Sequence, residues 1–211
     1  MMNRVRAGIA VGVLLLAGLV WSEGARAGEA TELVRKSTDQ VIEILKDPVL
    51  KDRPDVRDEK IWQVVLRCFD FEEMGRRSLG IHWRERSAQE QKEFVELFGR
   101  LIHKSYAGRV ASYSDEKVDY LGEAVDGARA EVKTKVVSKG TEIPVEYRLL
   151  QKSSSWVIYD VVIEGVSLVN NYRNQFNRIV VQKGYRELER MMKTKLDELI
   201  KETEKQKKES A

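Results

Sequence analysis

Residues 156–176 read WVIYDVVIEGVSLVNNYRNQF, a strand-like pattern that turns helical after Gly165. In an extended chain successive side chains alternate across the strand. Val157, Tyr159, Val161 and Ile163 therefore point to one side, and Trp156, Ile158 and Val162 to the other. Both sides are apolar. Beyond Gly165, Leu168, Tyr172, Phe176 and Ile179 recur at helical spacing. A strand that is greasy on both faces has to be covered on both, or to wall a cavity on one.

Working outward, the stretch from about 117 to 164 keeps a period of two. KVDYLGEAV, ARAEVKTKVVS, TEIPVEYRLLQK and SWVIYDVVIE read as four strands, broken by Asp126-Gly127, Lys139-Gly140 and the serines at 153–155. Loops this short join antiparallel neighbours. Pro144 has no backbone donor, which predicts an edge or a bulge at its position. Upstream the period is helical. Leu33, Val41, Ile44 and Leu45 mark a helix over 29–46, and Ile61, Val64, Val65 and Cys68 mark another that ends near Phe69. Asp70 reads as the N-cap of a short helix carrying Met74 and Leu79 and stopped by Gly80. Ser87-Ala88-Gln89-Glu90 is a capping box opening the helix whose stripe is Phe94, Leu97, Phe98, Leu101, Ile102, Ser105 and Tyr106. Past Gly184, Tyr185, Leu188, Met192, Leu196 and Leu199 form a last helix, and the charged tail at 201–211 lacks an apolar stripe and is expected to be disordered. Residues 28–200 thus read as one α+β domain, with helices packed on one face of a curved four-stranded antiparallel sheet.

Arg4 and Arg6 precede an apolar run from Ala7 to Trp21, followed by Ala25-Arg26-Ala27. This is the pattern of a secretory signal peptide over 1–27, too short to span a bilayer as an anchor. With 37 basic and 34 acidic side chains interspersed, no basic footprint for nucleic acid exists. One cysteine, Cys68, cannot form an internal disulfide and reads as a buried small hydrophobe.

Little in the chain suggests catalysis. The two histidines, His82 and His103, lack partners at metal-ligand spacing; His103 is expected at the surface and His82 in a packing role beside Trp83. Neither a phosphate-binding loop nor a nucleophile elbow occurs, and no cofactor or metal is expected. Asp160 interrupts an apolar strand. A carboxylate buried there would have a raised pKa, as a general base needs, whereas an arginine partner from a neighbouring element gives the same letter a structural reason.

Two blocks carry a resemblance. Phe69-Asp70-Phe71-Glu72-Glu73-Met74-Gly75-Arg76, with Leu79-Gly80 and Trp83, is similar to the FDF-x-x-M-x-R-x-x-LG-x-x-W signature of the periplasmic phospholipid-binding proteins of the Mla pathway, the toluene-tolerance family. Trp156, Tyr159-Asp160-Val161, Gly165-Val166-Ser167-Leu168, Asn171-Tyr172-Arg173 and Gln175-Phe176 resemble that family's W-x-x-YDV-x-x-EGVSL-x-x-NYR-x-QF block. The resemblance implies an NTF2-like or cystatin-like shape enclosing an apolar pocket for the acyl tails of a glycerophospholipid. It further implies a periplasmic carrier, not an enzyme, working between an outer-membrane lipoprotein complex and an inner-membrane ABC transporter complex with a lipid-binding hexamer.

On this reading one face of strand 156–164 walls the pocket, Gly165 turns the chain, and Leu168, Tyr172 and Phe176 cover the cavity. Further lining candidates are Met74, Leu79, Trp83, Phe98, Leu101, Val132, Val136, Val145, Tyr147, Val161 and Ile163. Arg76 and Arg173 are candidates for the phosphate at the mouth, or for an ion pair with Asp160 or Glu164. The rival readings are a periplasmic chaperone or adaptor using the charged tail, and a cone-fold enzyme using Asp160.

Overall fold

The computed structural model describes residues 28–113, 117–138, 140–153 and 155–209; the segment read as a signal peptide lies outside them. Side-chain oxygens start the helices as their sequences dictate. Asp70 Oδ1 accepts from the Glu73 backbone N–H at 3.0 Å and starts α4 (Phe71–Leu79). Ser87 and Glu90 close a reciprocal capping box that starts α5 (Ala88–Ala111). The other helices are α1 (Glu29–Lys46), the single turn α2 (Pro48–Lys51), α3 (Pro54–Cys68), α6 (Leu168–Lys183) and α7 (Tyr185–Glu209). α1 has no cap from its own side chain. Glu123 supplies it from the sheet, its carboxylate accepting from the backbone N–H groups of Gly28 at 2.8 Å and Thr31 at 2.6 Å. A negative charge at a helix N-terminus also offsets the helix dipole.

Strands β1 (Lys117–Asp126), β2 (Arg129–Ser138), β3 (Thr141–Lys152), β4 (Ser155–Ile163) and β5 (Val166–Ser167) form one antiparallel sheet in chain order. The sequence predicts four strands; the fifth exists because Glu164 and Gly165 take φ of 50° and 80°. Two positive φ values in a two-residue loop are the signature of a type I′ hairpin, which folds Val166 and Ser167 back onto β4 before α6 begins. Pro144 lies opposite Lys135 on the interior strand β3, at neither an edge nor a bulge, and is tolerated one residue beyond the last β3–β4 pair, where its carbonyl accepts from the Glu164 N–H at 3.0 Å.

Strict alternation fails in β4. Arg148 pairs with Asp160 but Leu149 with Ile158, so Tyr159 is an extra residue, a bulge. The bulge exchanges the two faces part-way along the strand. Ile158, Val161 and Ile163 share the inner face with Leu149, Tyr147 and Val145, while Asp160 and Val162 point away beside Arg148 and Glu146. The bulge is also where α4 docks, since the Asp70 N–H donates to the Ile158 carbonyl at 2.8 Å. On the outer face, Arg148 approaches Glu131 and Asp160, and Lys135 pairs with Glu142. The inner face is apolar throughout, while the other face of β4 is covered too, with Val162 buried and Tyr159 packed against the helical core around the polar Asp160.

Two apolar cores result. One lies among α4–α7 and is built on Phe94, Phe98, Met74, Leu188 and their neighbours. The other lies between the sheet and α1 and α3, built on Val34, Cys68, Val132, Leu149, Trp156 and Ile158. Helix α7 runs beside α5 in the same direction: the Tyr185 hydroxyl donates to the Glu90 carbonyl at 3.5 Å. It continues helical to Glu209, past the expected break near residue 200. Among the described residues no helix is long and apolar enough to cross a membrane.

Candidate functional site

A cavity of about 770 Å³ opens where the two cores fail to meet. α1 contributes Val34, Val41, Ile42 and Leu45, α3 contributes Ile61, Trp62 and Val65, and the sheet contributes its inner-face residues. The C-terminal half of α5 and Thr203 of α7 complete the wall. Cys68, Tyr147 and Ile158 of the sheet-side core also line it. Burial pushes the Tyr147 phenol up to about 12, with the neighbouring Tyr120 acting in the same direction, and it pushes the Cys68 thiol up as well. Both groups are therefore neutral in the apolar chamber.

Of the predicted lining residues, Met74, Val136, Val145, Tyr147, Val161, Ile163 and Leu168 border the cavity. Leu79, Phe98, Leu101 and Phe176 are instead buried in the helical core, with Trp83 and Tyr172 packed half-buried against it, and Val132 is buried in the sheet-side core. Phe98 makes the reason visible: its ring stacks on Phe94 at 5.9 Å and meets Tyr172 and Phe176 edge-on at 5.3 and 5.9 Å. The stripe that reads as a lid is the seam between α5 and α6.

The two predicted head-group arginines stand away from the cavity. Arg76 makes a two-pronged contact with Glu73, Nε to Oε2 at 2.8 Å and Nη2 to Oε1 at 2.6 Å. Glu73 also accepts from Arg77 Nε at 2.7 Å. Arg76 hydrogen bonding, against the opposing effect of partial burial, holds the Glu73 carboxyl below the usual range, with Arg77 assisting. Arg173 lies along Gly80, where an added Cβ would be 3.2 Å from its Nε. Neither arginine pairs with Asp160 or Glu164. Asp160, nearly fully buried, accepts from Ser167 Oγ at 2.6 Å and from the Val169 N–H at 3.0 Å, with Arg148 Nη1 at 3.3 Å. It ties β4 to the start of α6 and pairs with an arginine from β3.

Of the charged side chains and the histidine that do border the cavity, only His103 and Glu164 were singled out by the sequence, and neither as a cavity residue. The set is Asp55, Arg57 and Asp58 on α3, His103, Lys104 and Arg109 on α5, and Glu164 after β4. His103 is not the surface residue its helix phase suggests. Its ring stacks on Trp62 at 4.3 Å, and its Nε2 lies 2.8 Å from Asp58 Oδ1, while Lys104 Nζ donates to Asp58 Oδ2 at 2.9 Å. His82 is buried, with Nε2 2.9 Å from Asn177 Oδ1. Among the described residues no cluster suited to a metal ion occurs.

Burial alone would raise the Asp58 pKa, but the hydrogen bonds from His103 and Lys104 and their charges outweigh it and hold it down at about 2. A depressed carboxylate stabilises the fold above its unfolded pKa and loses that contribution as pH falls through the folded value. Acidification from about pH 4 to pH 2 is therefore expected to remove up to about 2 kcal/mol at this pair. Asp58→Asn should lose that share of the pH dependence in thermal melts over the same window, and an unchanged pH profile would contradict the assignment.

The family described as MlaC protein matches residues 35–194, most of the chain. The chain belongs to the MlaC family. The "Intermembrane phospholipid transport system binding protein MlaC" of Haemophilus influenzae is 25% identical over 126 residues, 57% of this chain and 59% of that protein. "Toluene tolerance protein ttg2D" of Pseudomonas putida is 26% identical over 103 residues, 48% of each chain. The matches thus span about half to three-fifths of these curated relatives. The phospholipid-binding protein from Ralstonia solanacearum, solved in complex with a phospholipid at 1.53 Å, superposes with a TM-score of 0.74 at 24% identity, covering 82% of this chain and 99% of that one. At that identity the likeness speaks for the fold. In this MlaC-family chain the Phe69–Trp83 block organises α4 and its docking on β4, and the Trp156–Phe176 block builds the bulge, the hairpin and the Asp160 tie. Both blocks also reach the chamber, the first through Phe69, Phe71 and Met74 and the second through Ile158, Val161 and Leu168.

Proposed function

We propose that this protein is a periplasmic phospholipid carrier of Mla-type intermembrane transport, exported by the segment at 1–27 and holding acyl tails in the cavity between its two cores. The observation that carries the reading is the size and chemistry of that chamber. An engineered apolar cavity of about 150 Å³ accepts benzene, six carbons. At the same loading, 770 Å³ takes on the order of 30 carbons, the acyl content of one glycerophospholipid. Exposing about 30 methylenes to water would cost roughly 24 kcal/mol at about 0.8 kcal/mol each, so a lipid does not cross an aqueous gap unaided. A chamber lined by Val, Ile, Leu and aromatic side chains is about as apolar as a bilayer interior, which keeps transfer near thermoneutral and reversible in either direction. Donor and acceptor complexes in the outer and inner membranes are the partners this role requires.

Native mass spectrometry of freshly purified mature protein, followed by organic extraction, tests the reading. Stoichiometric phospholipid is expected, and protein recovered without lipid would count for the adaptor alternative. Asp160→Asn separates carrier from enzyme. On the carrier reading the variant keeps its lipid and loses about 2 kcal/mol of stability from a weakened charge-assisted contact. An enzyme using Asp160 would lose the same stability, since the buried contacts are the same, and would in addition lose turnover.

A further inference from the structure

Two contacts fasten the first half of α1 to β1, the strand at one edge of the sheet. Glu123 uses both carboxylate oxygens: Oε1 accepts from the Gly28 backbone nitrogen at 2.8 Å, and Oε2 accepts from the Thr31 N–H and the Thr31 hydroxyl, each at 2.6 Å. Further along the helix, the Arg35 guanidinium lies over the Tyr120 ring at 4.0 Å. The helix placed by these contacts is a wall of the chamber, through Val34, Val41, Ile42 and Leu45. Gly28 is also the residue that follows the Ala25-Arg26-Ala27 cleavage pattern. The nitrogen that Glu123 holds is therefore the one that processing after Ala27 turns into the free amine of the chain.

Building on the export reading, we infer that removal of residues 1–27 turns this cap into an ion pair between the Gly28 α-ammonium and Glu123, so that α1 is fully fastened to the sheet only in the processed protein. Free α-amines titrate at about pH 7.7–8.0, so the new terminus is mostly cationic at neutral pH. A cation at a helix N-terminus ordinarily opposes the helix dipole, and a terminus created here would loosen α1 unless a carboxylate met it. Glu123 meets it at hydrogen-bond distance, and Glu29 and Glu32 in the first turn add negative charge. A hydrogen bond between charged partners is about twice as strong as a neutral one. The precursor has only a neutral amide at this point. One of the contacts that set the chamber wall is thus strengthened after the leader is gone.

The test begins with the intact mass of the exported protein, which is expected to start at Gly28. Melting temperatures are then compared at neutral pH and low salt for the mature chain and for the same chain acetylated at the Gly28 amine, which restores the neutral amide of the precursor. Each is measured with Glu123 and with Glu123→Gln. The free amine is expected to melt about 2–4 °C above the acetylated form, Glu123→Gln should erase that difference, and high salt should narrow it. Equal melting of the two forms, a difference that Glu123→Gln leaves in place, or a mature chain starting elsewhere overturns the ion pair while export and lipid carriage stand. A protein that keeps residues 1–27 and is not exported overturns the export reading and this inference with it.

Discussion

Val145→Trp combined with Ile163→Trp is expected to empty the protein of lipid while leaving it folded. The two residues face each other across β3 and β4 on the inner face of the sheet and both border the cavity. Added rings at these positions enter open space, whereas in a close-packed core they would collide with neighbours. If they deny a lipid room for even four methylenes, about 3 kcal/mol of burial is lost, a drop in affinity on the order of 100-fold. Extraction should then recover less than about a tenth of the wild-type phospholipid at working concentrations, with a melting temperature equal to or above that of the delipidated wild type. Undiminished lipid in a folded double variant would mean that the tails lie elsewhere and would remove the basis of the carrier reading.

The opposite dissociation is expected at Phe98, which is 0% exposed at the centre of the aromatic cluster of α5 and α6. Phe98→Ala removes a fully buried ring and leaves a void that the surrounding rings only partly fill, at a cost of about 3–5 kcal/mol. For a domain of this size that corresponds to a fall in melting temperature on the order of 10 °C. Lipid retained by the folded fraction should be unchanged, because the ring touches the core and not the chamber. A variant that melts normally but loses lipid would place Phe98 on the cavity wall, as its helix stripe first suggests. Together the two variants separate what holds the fold from what the fold encloses.

Much of this molecule is local, and the local part was legible in the letters. The Ser87–Glu90 capping box, the Asp70 N-cap, the α1, α3 and α5 stripes and the four long strands depend on neighbours within a few residues. Short-range sterics and hydrogen bonding decide them. The two motif blocks also carried the family, which the match over residues 35–194 establishes. The letters did not show the bulge at Tyr159. One extra residue exchanged the faces of β4, and it is held by an N–H from Asp70, far away in sequence. His103 gave no sign of burial either, since it sits on the solvent phase of its own helix and only α3, bringing Trp62 and Asp58 across, covers it.

The cavity itself is the clearest division between the two levels. Val132 and Val136 are the same residue type, on the same strand and facing the same side, yet Val132 is fully enclosed in packed core while Val136 borders the open chamber. The sequence by itself determined that both point inward, because alternation is a property of the extended backbone. Only the tertiary structure decided which of them meets a neighbour and which meets empty space. That depends on how far α1 and α3 stand from each part of the sheet, a distance set by contacts throughout the molecule.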